Sequence, residues 1–223
     1  MAEEVVLLDF WASPFGIRLR IALAEKGIKY ERREEDLSNW NKSALLLQMN
    51  PVHKKVPVLI HNGKPVCESL IELQYVDEVW HGNGTAPLLP SDPYQRAIAR
   101  FWADFADKKI IELEVKLWRT KGEEQARAKK EFIEALKLLE GELGDKTFFG
   151  GENLGFLDIA LLSYYCWFYA YEKCAGFIVE AECPKLTAWA KRCMQRESVA
   201  KSVPHQQKVY EFVLHLKKVF GVE

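Results

Sequence analysis

The sequence predicts two domains of different class. A small α/β domain spans residues 1–81, a linker spans 82–93, and an all-helical domain spans 94–223. Three observations carry this. Short apolar runs of strand length alternate with helix-length segments before His81. Gly82, Gly84, Pro87, Pro90 and Pro93 then cluster and interrupt the pattern. Beyond Pro93 the apolar residues recur at helical spacing and no strand pattern returns.

Val5 to Phe10 reads as a buried strand of β-branched and aliphatic residues. Ser13 is a suitable N-cap, and Pro14 fits the first helical turn, where its missing N–H would be unpaired anyway. The helix runs to Lys26, and Gly27 suits the left-handed stop. Ile28 to Arg33 forms a second strand, so the β-helix-β order implies a parallel pair with a right-handed crossover. Val56 to His61 is the third strand. Asn62-Gly63 is a strong hairpin signal because both turn positions need positive φ. Lys64 to Cys67 returns antiparallel, and Glu68-Ser69 opens a helix reaching about Trp80. The order βαβ-ββα is a thioredoxin-like arrangement. The helical half has segments at Tyr94 to Arg119, Glu123 to Leu143, Gly155 to Tyr171, a start at Pro184, and His205 to Phe220.

The net charge is -1, from 31 basic and 32 acidic residues, which argues against general affinity for nucleic acid or an anionic membrane. No apolar stretch approaches the roughly 20 residues that span a bilayer. No secretory signal opens the chain, so a cytosolic location is expected, and the sequons at Asn41 and Asn83 read as chance. The cysteines number 5 and none forms a C-x-x-C pair, so reduced thiols are expected rather than a disulfide or zinc framework.

The run Asn50 to Ser69, NPVHKKVPVLIHNGKPVCES, is the densest in chemistry. Pro57 stands where a strand begins, a place that needs no ladder donor. A cis Val56-Pro57 bond would turn the N–H and C=O of Val56 outward to pair with an extended peptide, while an ordinary trans proline at a strand end is the commoner case, since few X-Pro bonds are cis. Glu68 and Ser69 at a helix start suit an anion beside an ammonium group, although simple capping also accounts for them. Lys42, Lys54 and Lys55 lie near the same edge and offer charge for a carboxylate. Ser13 has no G-x-S-x-G elbow, and no histidine motif partners it, so acyl chemistry is not indicated. Its hydroxyl at a helix N-terminus suits the stabilisation of a thiolate instead, lowering a thiol pKa from about 8.5. In the helical half, Trp118, Trp167, Phe168, Phe212, Leu216 and Phe220 are candidates for an apolar pocket or for plain core packing. Phe212, Leu216 and Phe220 share one helix face.

Taken together, these residues resemble the cytosolic glutathione transferases, and most closely the plant tau class, over essentially the whole chain. Ser13-Pro14-Phe15, the Asn50 to Ser69 run, Leu70 to Trp80, Asp36-Leu37-Ser38 and Lys42 to Leu47 carry the resemblance. It implies a thioredoxin-like domain followed by a helical domain. It also implies that glutathione is a cosubstrate, with no metal, and that the enzyme conjugates the thiolate to hydrophobic electrophiles in detoxification. By position, Ser13 resembles the serine that hydrogen-bonds the thiolate, and Lys42 and Lys55 the lysines near the glycine carboxylate. Val56, before the family's cis-proline at Pro57, resembles the residue that pairs with the cysteinyl part. Glu68 and Ser69 resemble the pair that holds the γ-glutamyl end. The acceptor pocket would draw on Phe15, Trp118, Trp167, Phe212, Leu216 and Phe220, and the assembly would be a homodimer.

Two departures stand out. Trp40 and Asn41 lengthen the segment before Lys42, and Gly155 replaces a serine or threonine cap ahead of Asp158, which implies partial capping. Three other activities are weighed beside conjugation. One is carriage of apolar ligands. Another is peroxidase chemistry by the activated thiolate. Thiol-disulfide exchange is the third, and it is disfavoured because serine, not cysteine, precedes Pro14.

Overall fold

The structure is a computed structural model and describes residues 3–37, 42–81 and 84–222. Ser38, the Trp40-Asn41 insertion and the first asparagines of both sequons lie outside the described residues. The chain divides into two compact units, Met1–Leu89 and Pro90–Glu223.

The first unit is thioredoxin-like. It contains β1 (Val5–Asp9), α1 (Pro14–Glu25), β2 (Glu31–Glu34), α2 (Ala44–Met49), β3 (Val58–His61), β4 (Lys64–Cys67) and α3 (Ser69–Val79). The sheet has the order β2-β1-β3-β4. β1 runs parallel to β2, with Val6 opposite Glu31, and antiparallel to β3, with Val5 opposite His61. β3 and β4 close the hairpin through Asn62 and Gly63, whose φ angles of 50° and 76° are both positive as the turn requires. Val6, Leu8, Val58 and Ile60 share one face of the sheet and pack on Leu46 of α2.

Three boundaries differ from the sequence reading. β2 lies later, at Glu31–Glu34, because its ladder follows β1 rather than its own exposed side chains. β3 begins at Val58, after the proline. The helix α2 was not predicted, since six residues are too few for a helical period to show. The linker segment up to Leu89 belongs to the first unit. Asp77 accepts hydrogen bonds from Leu88 N–H (2.8 Å) and Leu89 N–H (2.9 Å), and pairs with Lys26 at 2.8 Å.

The second unit holds α4 (Pro93–Arg119), α5 (Gly122–Leu143), α6 (Phe156–Leu162), α7 (Tyr165–Ala175), α8 (Val179–Glu182), α9 (Pro184–Cys193), α10 (Glu197–Ala200) and α11 (Gln206–Val219). The single helix expected from Gly155 to Tyr171 is therefore two. At the break the Ser163 hydroxyl donates back to Ala160 C=O (2.8 Å), a local bond that competes with the helical ladder. The segment is apolar on all sides, so its pattern gives no sign of the break. No helix of the described residues is long and apolar enough to cross a membrane.

Close packing at Gly16 fixes how α1 lies on β1. A Cβ at position 16 would come within 1.7 Å of Asp9 Oδ1, which is fully buried. Gly16→Ala is expected to destabilise the protein by about 1–3 kcal/mol through this overpacking. A urea midpoint equal to that of the parent protein would contradict it.

Candidate functional site

Ser13 is the N-cap of α1 and is buried. Its backbone N–H donates to Phe10 C=O at 2.9 Å, which closes the turn that leads out of β1. Its Oγ accepts from Gly16 N–H at 3.2 Å. Capping engages a lone pair and leaves the hydroxyl proton to donate. The turn is tied down on both sides, since Arg20 Nη2 donates to Trp11 C=O (3.0 Å) and Trp11 N–H donates to Glu34 Oε1 (3.2 Å). Arg20 and Arg32 both pair with buried Asp9, at 3.6 and 2.8 Å.

The second group lies around β3 and the start of α3. The Val56–Pro57 peptide is cis, Val56 is half-buried and Pro57 is buried. Lys54 and Lys55 are exposed on the loop before it. Asn50 organises that loop: its Nδ2 donates to Lys55 C=O (2.9 Å) and its Oδ1 accepts from His53 N–H (3.1 Å). Glu68 is exposed, with φ 74°, and directly precedes α3. Ser69 opens α3, and its buried Oγ accepts from Arg18 Nη1 at 2.9 Å.

Contacts connect these pieces. Arg18, fully buried, reaches from α1 to Ser69, and its guanidinium lies 5.2 Å from the Phe15 ring centroid. His53 Nε2 faces Glu68 Oε1 at 3.7 Å and joins the lysine loop to the start of α3. Half-buried Lys42 is placed by a different route. It precedes Ser43, the N-cap of α2, whose N–H and Oγ–H both donate to Glu35 (3.1 and 2.6 Å), and Glu35 N–H donates to Asp9 C=O (2.7 Å).

Sequence reasoning missed Arg18, His53 and Asn50. Arg18 gave one signal, as one of two cations, with Arg20, in the otherwise apolar stretch IRLRIALA. His53 and Asn50 lie inside the run already singled out, but only the fold shows what they touch.

Glu72 sits behind this group on α3 and is fully buried. Neither carboxyl oxygen meets a hydrogen-bond partner of good geometry among the described residues. Burial pushes its pKa well up, and the charges of Glu68 and Asp9 add to this, while the Leu59 backbone favours ionisation. A pKa raised on folding means the native state holds its proton more tightly than the unfolded chain does. That stabilisation is full below about pH 4.3, the unfolded value, and is lost as pH rises towards the folded pKa. Glu72→Gln is therefore expected to match the parent protein at about pH 4. At about pH 8 it should be more stable by about 1–3 kcal/mol. Parallel urea-stability curves for the two proteins over that range would refute this.

In the second unit, the expected apolar residues fall in two aromatic contacts along α11. Phe220 packs 6.1 Å from Trp118 of α4, under the Arg119 guanidinium at 4.3 Å. Phe212 meets Trp167 of α7 edge-on at 6.3 Å. Leu216 lies half-buried between them in the sequence of α11. Both tryptophans are buried.

A thioredoxin-like unit with a serine-capped α1 and a cis-proline entry to β3, followed by a helical unit, defines the class of protein. The family described as glutathione S-transferase, N-terminal domain, matches residues 3–78, and the corresponding C-terminal domain family matches residues 93–197. A probable glutathione S-transferase of Nicotiana tabacum, parC, is 67% identical over 221 residues, covering 99% of each chain. The crystal structure of a rice enzyme, GST1, in complex with glutathione, superposes with a TM-score of 0.92 at 54% identity and covers 98% of both chains. The structure of a tau-class glutathione S-transferase from mango gives a TM-score of 0.89 at 44% identity, covering 96% of this chain and 98% of that one. The chain belongs to the glutathione S-transferase family of enzymes, in its tau class.

Proposed function

We propose that this enzyme conjugates the glutathione thiolate to hydrophobic electrophiles, with the Ser13 hydroxyl as the group that activates the thiol. The observation that carries the reading is the state of Ser13. Its oxygen is engaged in capping α1, and its proton is left to donate at the N-terminus of a helix. A thiolate there would gain a hydrogen bond and a favourable dipole, and both lower its pKa. The thiol loses its proton to solvent, the thiolate attacks the electrophilic carbon, the S–C bond forms, and the leaving group departs with its electron pair.

The remaining residues of the first unit are assigned to the tripeptide. Lys42 and Lys55 attract the glycine carboxylate, and the Val56 backbone pairs with the cysteinyl residue ahead of Pro57. Glu68 takes the γ-glutamyl ammonium, and Ser69 with the start of α3 takes its carboxylate. Arg18 supports this by holding the Ser69 hydroxyl at 2.9 Å. Phe15, Trp118, Trp167, Phe212, Leu216 and Phe220 are assigned to the acceptor. Residues 1–81 then bind glutathione and 94–223 supply most of the apolar surface. Family membership supports a homodimer acting in the cytosol on detoxification substrates.

Formation of the conjugate from glutathione and chlorodinitrobenzene, followed by absorbance, tests the reading, and no enzyme-dependent product would overturn it. The aromatic contacts along α11 favour carriage of apolar molecules as a second function. That function would survive Ser13→Ala unchanged, whereas conjugation and peroxidase turnover would slow at neutral pH.

A further inference from the structure

α4 and α7 meet through two polar side chains for which the conjugation reaction has no use. Glu114 of α4 and Tyr171 of α7 are both buried, and the Tyr171 hydroxyl donates to Glu114 Oε2. Burial pushes the Glu114 carboxyl up to about 8; Tyr171 pulls it down and Asp107 pushes it up. Burial first, then the Glu114 carboxyl, hold the Tyr171 phenol well above its ordinary value. Among the described residues, other titratable groups acting on the pair include Asp107 on α4, Tyr164 just before α7, and Cys166 on α7. Asp107 is itself held by the Tyr164 hydroxyl at 2.8 Å. From α5 the facing group is an apolar ring, Phe132, 5.7 Å from Tyr171.

The position of the pair matters more than its chemistry. Trp118 follows Glu114 by one turn of α4, and Trp167 precedes Tyr171 by one turn of α7, so each tryptophan shares a helix face with one member of the pair. Trp167 also stacks on the Tyr171 ring, with centroids 6.2 Å apart and an interplanar angle of 24°. Through Phe212 and Phe220, α11 rests on these same two tryptophans. A change in the Glu114–Tyr171 contact therefore acts directly on the rings assigned to the acceptor.

We propose that Glu114 and Tyr171 are positioning residues for the acceptor site. With Glu114 protonated they hold α4 and α7 at the spacing that sets Trp118 and Trp167. With Glu114 ionised, a buried carboxylate answered by one phenol cannot stay dry, the helices readjust, and apolar acceptors bind less tightly. This inference rests on the assignment of Trp118 and Trp167 to the acceptor.

The test uses the uncharged probe N-phenylnaphthylamine, whose binding does not depend on the glutathione thiol. Its dissociation constant is read from fluorescence between about pH 6.5 and about pH 9. In the parent enzyme it should rise about fivefold across this range, a coupling at the low end of the typical scale. Glu114→Gln should remove the rise. Tyr171→Phe keeps the ring stack but deletes the bond that favours the ionised carboxyl, so the rise should move to higher pH. A parent enzyme whose probe affinity does not change with pH overturns the proposal. So does a rise that persists unchanged in Glu114→Gln, or one that stays at the same pH in Tyr171→Phe. Trp167→Ala checks the underlying assignment separately. If that variant binds the probe as tightly as the parent, the acceptor assignment fails; if it binds weakly while the Glu114 and Tyr171 variants behave as the parent, only the present proposal fails.

Discussion

Ser13→Ala is expected to slow conjugation at neutral pH by about 10- to 100-fold, while the KM for glutathione changes little. The hydroxyl stabilises the thiolate more than it stabilises bound glutathione as a whole. The tripeptide is gripped mainly by groups other than the hydroxyl, so removal of the hydroxyl costs little ground-state affinity. The thiolate loses its donor, and the pKa of the bound thiol returns towards about 8.5. Loss in kcat with KM preserved is the signature of an interaction that matters to the ionised, reacting form. The pH–rate profile supplies a sharper signature. Its rising limb should move to higher pH in the variant, and much of the lost rate should return in alkaline buffer, where the thiol ionises without help. The substitution also removes the N-cap of α1, whose Oγ accepts from Gly16 N–H at 3.2 Å, at a cost of about 1 kcal/mol. Ser13→Thr keeps both the cap and the hydroxyl and should retain part of the activity, which separates the chemical role from the structural one. A variant Ser13→Ala with the parent's turnover and profile would sink the assigned role.

The elements that could be read from the sequence are those whose local chemistry admits few alternatives. Asn62-Gly63 had to be a hairpin because two successive positive φ angles suit few residue pairs, and the structure has both. Ser13-Pro14 had to start a helix for a similar reason, since one residue supplies the cap and the next lacks the donor that would go unpaired. What escaped depends on distant partners. Arg18 and Arg20 sit two apart on α1 and look like solvated charges, yet both are buried. Arg18 is buried because Ser69 of α3 offers an acceptor, and Arg20 because Asp9 and the Trp11 carbonyl do. The Arg18 pairing arises only once α1 and α3 are packed together, and the Arg20 pairing once α1 lies back against the end of β1. The same holds for the candidate site. Its serines, lysines and proline announce themselves by motif, whereas the contacts that connect them, Arg18 to Ser69 and His53 to Glu68, span 51 and 15 residues of sequence. Glu72 is a case where a signal was present. It stands three residues after Ser69 and four before Val76, both buried, so helical spacing alone puts its carboxyl on the inner face of α3.

Asp158→Ala is expected to abolish stable folding of the helical unit. Asp158 is the third residue of α6 and is fully buried. Its Oδ1 accepts from Phe149 N–H (2.8 Å) and from Trp189 Nε1–H (2.7 Å). Its Oδ2 accepts from Gly150 N–H (3.0 Å) and Gly155 N–H (2.9 Å). The bond to Gly155 is the half of a capping box that survives with glycine at the cap, which has no side chain to return the bond. One carboxylate thus fixes the start of α6, the turn at residues 148–151 and the indole of α9. Alanine would leave all four donors without this acceptor, at about 1–3 kcal/mol for each that stays buried and unpaired. The sum is comparable with the whole stability of a domain, about 5–15 kcal/mol. Asparagine is no remedy. Whichever way its amide turns, the NH2 group faces two N–H donors, so Asp158→Asn should still cost about 2–4 kcal/mol. Urea unfolding followed by tryptophan fluorescence reads both variants directly, because Trp189 lies in the affected contact and packs edge-on against Phe149 at 5.1 Å. A midpoint for Asp158→Ala close to that of the parent enzyme would show that the turn and the helix start hold each other without the carboxylate.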